Sequence, residues 1–95
     1  MNLTDKVSIP AQVMARQVGE ETVILDLASG TYFGLDPVGA RIWELLGEGR
    51  ALADVCEVML DEYEVSRDEL ERDLSELLDT LVDKGLTKIE SASLP

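Results

Sequence analysis

The chain has 95 residues, 8 Lys plus Arg, 20 Asp plus Glu and no histidine, for a formal net charge of −12. This length fits a single domain, and a 45% apolar share with only 4% aromatics predicts an ordered core built mostly from Leu, Val, Ile and Ala. So acidic a surface repels phosphate backbones and gains nothing from an anionic membrane, and without histidine neither a Ser-His-Asp triad nor a His-rich catalytic zinc site can be assembled.

The charge is unevenly spread: residues 1–50 carry −3 and residues 51–95 carry −9. The hydrophobic period changes along the same divide. Val13 to Leu35 is rich in β-branched and aliphatic residues, with turns at Val18-Gly19-Glu20-Glu21 and Ala28-Ser29-Gly30-Thr31. From Pro37 onward the apolar spacing is helical.

The first strand is expected over Gln12 to Gln17, entered through Ile9-Pro10. Thr22 to Ala28 is the strongest strand signal. Gly30 then supplies a positive φ for a tight, bulged hairpin, and Thr31 to Leu35 returns. Together these predict a three-stranded antiparallel meander. Asp36-Pro37 is a helix start, because an Asp side chain accepts the orphan N–H groups and proline is favoured at the first position. That helix runs to Leu46 and ends at Gly47 and Gly49. A second spans roughly Leu52 to Tyr63. Ser66-Arg67-Asp68-Glu69 has the capping-box pattern and opens a third, which continues to Lys84 with Gly85 as its stop. Leu86 to Ile89 adds a short terminal strand, and Ser91 to Pro95 is expected to fray. The ordered domain thus runs from about Ile9 to Ile89 within a single domain over 1–95.

A meander followed by two short helices and a longer third reads as a winged helix-turn-helix-like α+β fold. Such folds commonly bind DNA through the third helix. Here that helix carries Asp68, Glu69, Glu71, Asp73, Glu76, Asp79 and Asp83 against Arg67, Arg72 and Lys84, so the usual function of the fold is lost to repulsion.

The run Val23 to Asp36, then Val38 to Leu46, closely resembles the PqqD-like family. The likeness extends through Leu52-Ala53-Asp54-Val55, Tyr63-Glu64-Val65 and Leu81 to Leu86. This family includes the stand-alone RiPP recognition elements, which hold leader peptides of ribosomally made, post-translationally modified peptides. The resemblance implies a non-catalytic, cytoplasmic peptide chaperone without cofactor or metal. In such domains the leader adds as a strand to the returning strand and fills a groove against the third helix. The resemblance further implies delivery of the precursor to a modifying enzyme. Tyr32-Phe33 and Asp36-Pro37 look most similar to elements of lasso-peptide pathways, where that enzyme is a leader protease. The alternatives are a chaperone of quinone-cofactor biosynthesis, whose partner is a radical enzyme, and a scaffold subunit that touches no peptide.

Elementary physics points the same way. An edge strand offers unpaired N–H and C=O groups to a ligand strand, while pockets set specificity. The peptide-binding residues expected on this basis are Thr31, Tyr32, Phe33, Gly34 and Leu35 on the strand. On the helix they are Leu70, Leu74 and Leu77 as apolar floor, with Asp73 and Glu76 at the rim. Gly34 leaves room for a close backbone approach. The leader should then carry apolar anchors and at least one basic residue. Tyr32 and Phe33 must point to opposite faces, and periodicity does not decide which points inward. Nor does it decide which edge of the leucine row faces the groove.

The remaining features have plainer readings. Trp43 sits among Ile42, Leu45 and Leu46 and reads as core. Cys56, among Val55, Val58 and Met59, reads as a buried, inert thiol, although a hydrolase using it is the rival from the enzyme class. It has no partner for an internal disulfide or a CxxC pair. No EF-hand spacing occurs, and Gly30, Gly34 and Gly39 do not form a phosphate loop. No apolar run approaches a membrane span and Met1 to Lys6 opens no signal peptide. An acidic DNA mimic is a further alternative. A monomer is expected, or a weak homodimer paired through the exposed edge.

Overall fold

Two short strands at opposite ends of the chain close the domain, and sequence periodicity signals neither reliably. The computed structural model describes residues 2–90, with β1 at Lys6–Ser8 and β5 at Lys88–Glu90. They pair antiparallel, Lys6 opposite Glu90 and Ser8 opposite Lys88. Order therefore begins before Ile9. The terminal strand begins two residues later than expected and ends one later, because Leu86 and Thr87 are buried instead of entering the ladder. Ser91 to Pro95 lie outside the described residues.

Between them lie β2 (Val13–Val18), β3 (Glu21–Asp26) and β4 (Tyr32–Leu35), then α1 (Pro37–Gly47), α2 (Leu52–Glu62) and α3 (Arg67–Asp83). The three strands form an antiparallel meander in the order β2-β3-β4. Gly19, at φ 65°, opens a two-residue loop that joins Val18 to its partner Glu21. The second hairpin is organised by the buried Asp26. Its Oδ1 accepts the Ala28 and Ser29 N–H groups at 2.8 and 3.2 Å, and its carbonyl accepts Gly30 N–H at 2.8 Å, where φ is 78°.

The helix boundaries follow local chemistry. Asp36 Oδ1 accepts the Gly39 N–H at 2.7 Å and Pro37 takes the first helical position. Ser66 Oγ accepts the Glu69 N–H at 3.2 Å; no return bond from the glutamate side chain is present among the described residues, so only the serine half of the box forms. At the far end Gly85 N–H bonds Val82 C=O at 3.0 Å and Leu86 N–H bonds Leu81 C=O at 2.9 Å, a Schellman closure with Gly85 at φ 74°. The start of α2 lacks a side-chain cap. The N-terminal segment satisfies it instead: Asp5 and Leu3 carbonyls accept the Leu52 and Ala53 N–H groups at 2.9 and 2.8 Å.

Two adjoining apolar clusters form the core. One joins Leu45 and Leu46 of α1, Leu52, Val55 and Met59 of α2, and Leu70, Leu74 and Leu78 of α3, with Val7. The other seats the sheet on the helices through Val13, Ile24, Leu35, Trp43, Leu81 and Leu86. Trp43 is buried at that junction, as its neighbours imply. A bidentate pair, Arg41 Nε and Nη2 on Glu62 at 2.8 and 2.7 Å, ties α1 to α2 from outside. It holds the guanidinium pKa up and the Glu62 carboxyl below the usual range, chiefly by hydrogen bonding. Among the described residues no helix is long and apolar enough to cross a membrane.

Candidate functional site

The meander has two open edges, β2 and β4, each paired only with β3, and of the two it is β4 that borders a cleft with α1 and α3. Its backbone orientation follows from the ladder. Asp26 N–H donates to Thr31 C=O at 2.8 Å, and opposite residues in an antiparallel pair alternate between bonded and non-bonded. Ile24 and Phe33, two steps further along this register, are the next bonded pair. Phe33 therefore spends its N–H and C=O on β3, while Tyr32 and Gly34 direct theirs outward. Two of the five expected strand residues supply the free backbone groups.

The same register separates the two aromatics. Phe33 shares a face with the buried Ile24 and packs half-buried against the smaller core cluster. Lys84 Nζ lies 5.8 Å from its ring centroid. Tyr32 lies opposite Leu25 on the outer face and is 71% exposed. Thr31 is half-buried in the hairpin, where its N–H donates to Ser29 Oγ at 3.2 Å.

Beside this edge runs a cleft of about 380 Å³ between β4, α1 and α3. Phe33, Gly34 and Leu35 line it from the strand, and Val38 and Ile42 from α1. From α3 come Asp73, Glu76, Leu77 and Thr80. A second hollow, of about 480 Å³, continues it past the helix start and is lined by Glu20, Glu21, Gly34, Leu35, Asp36 and Pro37. The trough thus has an apolar bed and carboxylates along its length: Asp73, Glu76 and Asp36, then Glu20 and Glu21.

Thr31 and Tyr32 lie outside the cleft lining, but Asp73, Glu76 and Leu77 come together with Phe33, Gly34 and Leu35 as expected. Leu70 and Leu74 do not. Both are buried in the larger core cluster, against α1 and α2, and neither lines the cleft. Their share of the floor belongs to Val38 and Ile42. Thr80, Asp36, Glu20 and Glu21 were also not expected to line the trough. Asp73, Glu76, Leu77 and Thr80 follow an i, i+3, i+4, i+7 row, which identifies the correct edge of α3 once one member is placed. The glutamates at 20 and 21 carry no such signal, because a turn alone brings them there.

Six of the seven α3 carboxylates are exposed, the exception being the half-buried Glu71, so the helix offers a phosphate backbone no attraction. Cys56 is fully buried. Burial raises its thiol pKa, with the Glu71 charge adding to the effect. A thiol in that setting holds little thiolate. Native protein should therefore resist iodoacetamide at about pH 8 and be labelled once in denaturant. Rapid labelling of the folded protein would reopen the case for Cys56 as a nucleophile.

The family model described as coenzyme PQQ synthesis protein D (PqqD) matches residues 21–86. No curated protein matches the chain. Two solved structures do. One is described as TbiB1 in complex with the TbiA(beta) leader peptide; it is 39% identical, with 92% of this chain and 98% of that one covered and a TM-score of 0.77. The other is described as lasso peptide synthetase B1 complexed with the leader peptide, at 31% identity, 87% and 98% coverage and a TM-score of 0.79. The family match takes in β3, β4 and all three helices, the elements that build the open edge and its trough, and the chain belongs to the PqqD family.

Proposed function

We propose that the chain is a stand-alone RiPP recognition element: a non-catalytic, cytoplasmic domain that binds a precursor's leader by strand addition to β4. It presents the precursor to a modifying enzyme, the leader protease of a lasso-peptide pathway. The observation that carries this reading is the free edge at Tyr32 and Gly34 beside an apolar, carboxylate-rimmed trough. Main-chain bonds supply affinity that does not depend on the leader's side chains, and the trough selects side chains. Likeness to two proteins solved with leader peptides, one of them described as a lasso peptide synthetase B1, supports the same choice. On this reading the frame is a winged helix-turn-helix whose third helix holds peptide instead of DNA. The second reading, a chaperone of quinone-cofactor biosynthesis with a radical-enzyme partner, draws on the description of the family match.

The test is a titration of the purified domain with a labelled synthetic leader from its own pathway's precursor, with no enzyme present. Saturable binding is expected, and replacing the leader's apolar anchors by alanine should weaken it. A leader that fails to bind without the enzyme would favour a pure scaffold. The carboxylate rim adds a salt dependence: affinity should fall several-fold on raising salt to about 0.5 M, where the screening length is only a few ångströms. An unchanged affinity would remove the rim carboxylates from recognition.

A further inference from the structure

Every ionisable side chain lining the trough is a carboxylate, yet a cation stands at its hairpin end. Lys84 continues the row of Asp73, Leu77 and Thr80 by one more turn, on the same edge of α3. A basic residue at a helix C-terminus is ordinarily accounted for by the helix dipole. Its side chain points elsewhere here. Arg67, at the other end of α3, is engaged by Glu57 and Glu71. Lys84 makes no ion pair among the described residues, although seven carboxylates share its helix. Its Nζ instead lies over the Phe33 ring, 5.8 Å from the centroid, and Phe33 is part of the trough wall.

We infer that Lys84 is a specificity-determining residue that takes a carboxylate side chain of the leader. The inference rests on the strand-addition reading above. Side chains alternate across a strand, so a leader strand beside β4 turns every second residue toward the trough. Those residues lie opposite Thr31, Phe33 and Leu35, the β4 positions on the same face as Ile24. At the Thr31 and Phe33 end the inward leader residue meets Lys84. Past Leu35 it meets Asp36, Glu20 and Glu21. The trough is therefore positive at its hairpin end and negative toward the helix start. A matching leader carries Asp or Glu beside Lys84 and its basic residue an even number of positions away. Main-chain pairing alone does not distinguish one register from the next, whereas this charge pattern does. A slip that keeps the inward face moves the leader's carboxylate from Lys84 toward carboxylates of the domain.

The test is a set of synthetic leaders from the pathway's own precursor, each position in turn carrying Glu or Lys. They are titrated against the full chain by fluorescence anisotropy at low salt. Wild type is expected to favour Glu over Lys at one position by about fivefold. That preference should invert in Lys84→Glu, vanish in Lys84→Met and persist in Lys84→Arg, with preferences at the other positions as in wild type. Lost packing on Phe33 would weaken the Glu and Lys leaders alike and leave their ratio unmoved. Lys84 is exposed and caps α3 through its backbone N–H, so the variants keep the fold. A preference pattern shared by wild type and all three variants would overturn the inference and spare the leader reading. So would a wild type that favours Glu at no position. Wild type that binds none of the peptides would overturn that reading, and this inference with it.

Discussion

Leu74→Ala is expected to lower the unfolding free energy by about 2–5 kcal/mol, while leaving the leader affinity of the folded protein unchanged. The side chain is wholly buried among Leu45, Leu46, Leu52, Val55 and Met59, so truncation loses transfer energy and leaves a cavity. For a domain whose total stability is of order 5–15 kcal/mol, that is a large share, and the urea midpoint should fall clearly. The converse holds three residues on. Leu77 is half-buried at the trough, so Leu77→Ala should cost less stability but weaken leader binding about tenfold, ~1.4 kcal/mol. Affinities are compared at a temperature where both variants are folded. If Leu74→Ala lost affinity without losing stability, α3 would have to present a different edge to the leader.

That pair of leucines marks the limit of sequence reading in this chain. Leu70, Leu74, Leu77, Leu78 and Leu81 form a stripe broad enough to meet two surfaces. Which member lies at the rim depends on how α3 crosses α1 and the sheet, a tertiary quantity that no period encodes. By contrast, elements bounded by local chemistry were legible to within a residue or two. Asp36-Pro37, Ser66 and Gly85 each fix backbone hydrogen bonds by their own side chain or their own φ, whatever the rest of the chain does. The β1–β5 ribbon is the opposite case. Three-residue strands are too short to show alternation, and their pairing joins the two ends of the chain. Tyr32 and Phe33 lie between these cases: alternation separates them, but only the register opposite Ile24 and Leu25 says which is inside.

Gly34→Pro is expected to abolish much of the leader affinity while the fold persists. The Gly34 N–H points to the open edge and has no partner strand, so proline forfeits no bond of the native sheet. Edge positions with the N–H toward solvent are where sheets tolerate proline. Around Gly34 an added Cβ meets nothing within 4 Å, so no neighbour has to move. In the complex the same substitution removes one of the donors the incoming strand needs and sets a ring against it. A leader carbonyl stranded in this way costs about 2 kcal/mol, or roughly thirtyfold in affinity. Gly34→Ala is the control: it keeps the N–H and should bind nearly as wild type. The two variants together isolate the backbone contact from the trough. If Gly34→Pro bound leader as well as Gly34→Ala does, the leader would not be adding to β4, and only the side-chain half of the proposed recognition would stand.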